Sequence, residues 1–224
     1  MNYPIYVHNQ IPWQTSYFYT YSNKANYPLY SFSNNRYVPS TQSIQSPNNN
    51  VDTIKYFINV PIALAKSIEG KYFSGTAVNI SFGEATKGWA RLYNPPDSGV
   101  NLFVNVWTVS DIFSTSFRAQ IWFNSTPPGI IQESESVTPT NTTIIPPPQP
   151  KTRVQYGVGV KGFPTGGVLA FGYSGLAGTT VGEELQGRQI FPPGGSFTVF
   201  LSNPENPTIP AMGTVAFGWW EEPI

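Results

Sequence analysis

The carboxylates are the first side chains to weigh for chemistry. The acidic candidates are Glu84, Asp97, Asp111, Glu133, Glu135, Glu183, Glu184, Glu221 and Glu222. Glycoside hydrolysis needs two such groups across a cleft, roughly 5–9.5 Å apart. The neighbours Glu183/Glu184 and Glu221/Glu222 would point to opposite faces of a strand, so their adjacency makes no pair. His8 is the only histidine, which argues against a Ser-His-Asp triad and rules out a polyhistidine metal site. Cysteine is absent, which excludes thiolate catalysis and cysteine-bound metal. Asp52, Asp97 and Asp111 are isolated, and calcium needs clustered oxygen ligands. The glycine-rich residues 157–162 lack the strand–loop–helix setting and the Lys-Ser/Thr pair of a phosphate loop. Asn79, Asn124 and Asn141 head glycosylation sequons, which carry meaning only on a secretory route. The expectation is no catalytic residue, no metal and no cofactor.

The aromatic side chains remain. Trp89, Trp107, Trp122, Trp219 and Trp220 could build a sugar-stacking platform, although rings this large more often fill cores and interfaces. Phe103, Trp107, Trp122 and Trp220 are the candidate assembly or glycan face. A second aromatic set lies near the N-terminus: Tyr3, Tyr6, Trp13, Tyr17, Phe18, Tyr19, Tyr21, Tyr27, Tyr30 and Phe32. Asn and Ser fill the gaps, and Lys24 and Arg36 are the only charges up to Asn50. A polar low-complexity segment is ordinarily a mobile tail, but such tails are poor in rings. Tyr and Trp bring large contact area at low rotamer cost, as adhesive surfaces do. The alternations at 17–21 and 28–32 suit strand addition to a neighbour's sheet edge. These rings are the candidate assembly residues of the arm.

Elements must position both sets. The strongest strand–turn–strand signal is 99–124. By alternation Val100, Leu102, Val104, Val106 and Thr108 share one face, and Asn101, Phe103, Asn105, Trp107 and Val109 the other. Phe117, Ala119, Ile121 and Phe123 repeat the pattern against Arg118, Gln120, Trp122 and Asn124. Further strands are expected at 55–60, 71–82, 89–93, 135–144, 152–160, 168–173, 187–191, 196–202 and 213–220. The breaks at 94–99, 127–129, 192–195 and 203–207 are rich in Pro, Gly and Asn. One short helix fits 61–69, with Pro61 at its first turn and Gly70 just past its end. Pro146–Pro150 reads as a stiff crossover between sheets, and the glycine-rich 157–182 as a long loop or hairpin at one end. With no helices between strands, parallel βαβ folds are excluded. The expected fold is all-β: an antiparallel β-sandwich of jelly-roll type over 56–224, with an extended N-terminal arm and linker over 1–55.

Twelve basic and twelve acidic residues cancel. No basic stripe calls for nucleic acid or a membrane surface. Charged residues make up 11% of the chain, against about 25% ordinarily. So few charges at zero net charge imply surfaces that are meant to be covered. Residues 1–20 have neither the basic region nor the apolar run of a secretory signal, and no stretch is apolar enough for a membrane helix. Synthesis in a cytoplasm is expected, with exit by lysis or another non-standard route.

Several segments together resemble an uncharacterised domain-of-unknown-function family of spore-forming Bacillota. They are Ile68-Glu-Gly-Lys-Tyr-Phe-Ser-Gly75, Trp89-Ala-Arg-Leu-Tyr-Asn-Pro95, residues 98–106, Ile121-Trp-Phe-Asn124, Phe191-Pro-Pro-Gly-Gly195 and Ala216-Phe-Gly-Trp-Trp-Glu-Glu222. The likeness covers about 56–222 and leaves the arm outside. It implies no activity or site residue. It does imply a source in which mother-cell proteins reach the spore surface at lysis without a signal. The combined expectation is a non-enzymatic, self-assembling subunit of an extracellular or spore-surface filament, its arm docked into a neighbouring copy. A carbohydrate-binding module with glycan as partner is the alternative, and a viral capsid or fibre protein the third.

Overall fold

The computed structural model describes residues 16–20, 29–31, 56–111 and 115–224. The chain divides into two compact units, Met1–Ala65 and Lys66–Ile224. In the first, β1 (Ser16–Thr20) lies between β2 (Leu29–Ser31) and β3 (Tyr56–Asn59) in an antiparallel sheet. β1 is therefore paired on both sides within its own chain.

Helix α1 (Ile62–Ile68) starts after Pro61, as expected. It ends on a Schellman motif. The Gly70 N–H donates to the Ser67 carbonyl and the Lys71 N–H to the Lys66 carbonyl. Gly70 sits at φ +73°, where a glycine costs least.

The second unit is a sandwich. Its strands are β4 (Tyr72–Gly83), β5 (Lys87–Tyr93), β6 (Val100–Asp111), β7 (Phe117–Phe123), β8 (Gln132–Glu133), β9 (Val137–Pro139), β10 (Arg153–Val160), β11 (Val168–Gly175), β12 (Thr180–Phe191), β13 (Ser196–Ser202) and β14 (Pro210–Pro223). One sheet runs β11-β7-β13-β5-β10-β8, the other β12-β6-β14-β4-β9. The antiparallel pairs are nested: β7 with β11, β6 with β12, β5 with β13 and β4 with β14. One long hairpin wrapped around a core gives this order, which is the jelly roll. β8, β9 and β10 are inserted between the innermost pair and extend the far sides of both sheets.

The core lies between the sheets. Phe73, Leu92, Leu102, Trp107, Phe117, Ile121, Phe197, Phe217 and Trp219 are buried in it. A smaller cluster of Trp89, Val160 and Phe200, with Trp122 against it, lies on the outer face of the six-stranded sheet. Trp89 Nε1 donates to the Pro128 carbonyl at 2.8 Å, so the 127–129 turn folds back over it. Gly157 is required there, because a Cβ would meet Trp89 Nε1 at 2.4 Å. The proline-rich crossover from β9 to β10 is held by the buried Glu221. Its carboxylate accepts the N–H groups of Lys151 and Thr152, the shorter contacts being 2.9 and 2.8 Å.

Two expectations fail on geometry. The strand expected at 135–144 is only Val137–Pro139, with turns after it. Pro139 cannot donate an N–H to the ladder, and β9 ends there. Also, 100–111 and 117–123 do not pair with each other. β6 and β7 lie in opposite sheets.

Candidate assembly surface

The four candidate rings on the sandwich do not share one face. Leu102 and Val104 point into the core, and a strictly alternating strand would then send Trp107 outward. Yet Trp107 is buried in the core. The cause is a β-bulge at Asn105. On β14, Trp219 pairs with Val104 and the adjacent Gly218 with Val106, leaving Asn105 as the extra residue. A bulge flips the alternation beyond it. Asn105 is itself buried, and its Nδ2 donates to Tyr72 Oη at 2.8 Å. Trp107 thus leaves the candidate face.

Phe103 and Trp220 do point outward together, stacked at 5.4 Å, with Tyr72 on the other side of Trp220 at 6.4 Å. They are not free, since Trp220 is only 5% exposed. Between Glu184 and Gln189, β12 bulges over this row, and a Cβ on Gly187 would meet the indole at 2.0 Å. Trp122 is half-buried against Trp89 and Phe200, and its Nε1 has no hydrogen-bond partner. Of the described tryptophans, Trp89, Trp107, Trp219 and Trp220 are buried, and Trp122 keeps part of its ring exposed.

Of the arm residues, Tyr17, Phe18 and Tyr19 lie in β1 and Tyr30 in β2. Tyr3, Tyr6, Trp13, Tyr21, Tyr27 and Phe32 lie outside the described residues. The acidic neighbours separate as alternation requires. Glu221 is buried on the crossover, while Glu222 bonds Lys66 and Lys71 at 2.5 and 2.9 Å. Among the described residues no group of three or more His, Cys, Asp or Glu side chains gathers. No described helix is long and apolar enough to cross a membrane.

The surface that stands out is a sheet edge, and sequence reasoning did not single it out. A sandwich has four edges, each a row of unpaired backbone groups on which another strand can add. Three of these are guarded. β8 is two residues long, and its Glu133 bonds Arg153 at 3.0 Å. β9 is three residues long and ends in Pro139. β12 carries Glu183, Glu184 and Arg188, and its bulge breaks the line of the edge.

β11 is neither short nor charged, although it too bulges, at Ala170. It is eight residues long and uncharged, in the sequence Val-Leu-Ala-Phe-Gly-Tyr-Ser-Gly. It pairs with β7, and among the described residues nothing pairs with its other edge. Leu169 lies opposite Trp122 on the outer face and Phe171 opposite Ile121 on the inner face, either side of a bulge at Ala170. Both are 45% exposed, Val168 is 64% exposed, and Leu176 just beyond the strand is 74% exposed. The uncharged run from Gly162 to Gly182 was the available signal. Composition cannot say that this run is an edge.

One polar tie crosses from β11 to β12. Tyr173 Oη donates to the Glu183 carboxylate. Burial, and then the Glu183 carboxylate, push the Tyr173 hydroxyl up to about 12. Trp107 packs edge-on against the Tyr173 ring at 5.0 Å. The tie closes one end of the seam between the sheets, and toward the other end Phe171 packs edge-on against Phe123, which in turn meets Phe191 of β12 at 5.2 Å.

No curated protein and no solved structure matches the chain. One family model does, over residues 36–224, so the match begins inside the arm and extends beyond the 56–222 expected from the resemblance. The chain therefore belongs to DUF6143, a family of unknown function.

Proposed function

We propose that the protein is a structural, self-assembling subunit whose copies join by strand addition and by their aromatic N-terminal arms into an extracellular or spore-surface filament. The observation that supports this best is the β11 edge, an uncharged eight-residue strand with exposed apolar side chains on both faces. A monomer gains nothing from such an edge and risks aggregation by it. A subunit that is meant to be covered needs one. The low charge of the whole chain agrees, because little charge has to be desolvated when copies pack. The arm supplies the second joint, with aromatic anchors and only Lys24 and Arg36 as charges among its first 50 residues. The resemblance to proteins of spore-formers supports exit by mother-cell lysis. Nothing in this reading calls for catalysis, a cofactor or nucleic acid.

Negative-stain electron microscopy of the purified full-length protein, with sedimentation over a concentration series, tests the reading. Ordered filaments are expected. Dispersed monomers at high concentration overturn it, and closed shells replace it with a capsid-type assembly.

A further inference from the structure

We infer that β11 pairs antiparallel with β11 of a second copy, joining two six-stranded sheets into one continuous sheet across a two-fold axis. This rests on the self-assembly reading and names the partner at that edge. The argument is charge self-complementarity. When a strand pairs with its own copy across a two-fold, each residue lies opposite the one equally far on the other side of the axis. A charge near the axis then meets its own copy, and like charges opposite one another destabilise the pair. The charges of β12, Glu183, Glu184 and Arg188, restrict the registers in which it could pair with itself. β11 carries no charge, and none occurs from Gly162 to Gly182. Its regular stretch, Phe171 to Gly175, pairs residue for residue with β7, so its backbone is already laid out for a partner on the free side. With Tyr173 on the axis, Phe171 would lie opposite the partner's Gly175 and Leu169 opposite the partner's Ala177, and these exposed apolar side chains would lose water contact. A two-fold contact closes a dimer and cannot propagate. In a filament this joint pairs subunits, and the arm, a different surface, extends the chain of pairs.

The test uses the absence of cysteine from the protein. Gly172→Cys and Ser174→Cys place single thiols on the outer face of β11, opposite Gln120 and Arg118 of β7. A Cβ at Gly172 meets nothing within 4 Å. With Tyr173 at the two-fold, residue 172 of one copy lies opposite residue 174 of the other. Oxidising a mixture of the two variants should give the mixed disulfide dimer, and each alone should cross-link to itself with a short bismaleimide. Gly172→Lys should weaken dimerisation on the order of tenfold without lowering the melting temperature, because it sets two new cations across the axis. Oligomers that form without β11 cross-links overturn this inference and leave the assembly reading standing. A protein that stays monomeric throughout overturns both.

Discussion

β11 and β12 follow one another in the chain, end their respective sheets on the same side of the sandwich, and differ in nearly every other respect. β12 spends its outer face covering Phe103 and Trp220, its bulge wraps their row, and three charges line it. β11 covers little. Its apolar side chains are left in water on both faces, and one side of its backbone is unpaired among the described residues. Both edges are exposed, so exposure alone does not mark a joining surface. What separates the two is charge, which lines β12 and is absent from β11.

The largest test of this contrast is to cut one ring from each side. Trp107 is buried where β12 crosses β6, and Phe171 is 45% exposed on β11. Trp107→Ala should cost about 3–5 kcal/mol of unfolding free energy, the usual range for a buried large ring. Phe171→Ala should cost the isolated subunit about 1 kcal/mol or less, since much of that ring stays in water. Its effect should fall on association. Urea unfolding at low protein concentration, set beside sedimentation at high concentration, separates the two. Equal losses of stability from both variants would erase the distinction.

The β12 bulge is next in size. Gly187 is at φ +71°, and its missing side chain makes room for the Trp220 indole. Gly187→Ala should lower stability by about 2 kcal/mol, combining a strained backbone with overpacking. It should also expose Trp220, shifting its fluorescence to the red. An unshifted spectrum would mean that the bulge is not what covers the ring.

A smaller change converts one edge toward the other. Glu184 is exposed on β12, opposite Val106. Glu184→Val removes a guard and adds an apolar cross-strand pair of about 0.2–1 kcal/mol. Monomer stability should rise slightly, and association at high concentration should increase. No gain in association would show that the bulge alone blocks this edge.

Much of the fold was legible because its signals are local. Alternation at 100–104 and 117–123, turn residues at 94–99 and 192–195, and Pro61 with Gly70 around α1 each act within a few residues. The surface was less legible because its determinants are distant. Trp107 turns inward only because Asn105 is an extra residue against Gly218 and Trp219, over a hundred positions away. The strand at 168–175 could be read, but not its place as a sheet end, which follows from the nested pairing of eight strands. Trp220 looked free because Gly187, the residue that lets the chain close over it, has no side chain to advertise the contact.

The smallest effect concerns the tie between the two edges. The Tyr173 hydroxyl is held up to about 12 by burial and by Glu183, against an ordinary value of 10.0. Below pH 10 the phenol is neutral in both folded and unfolded chains, and the contribution of this hydrogen bond to stability is fully present. Between pH 10 and 12 the unfolded chain releases the proton while the folded chain retains it. The unfolded state then binds fewer protons, so stability falls as pH rises through this window. Tyr173→Phe removes the group and should flatten that part of the pH profile. It should cost about 1 kcal/mol below pH 10, the net worth of one hydrogen bond. If the two profiles run parallel from pH 9 to 12, the tie does not hold the β11 and β12 edges together. The seam would then owe its closed end to the packing of Trp107 on the Tyr173 ring, a contact that Phe preserves.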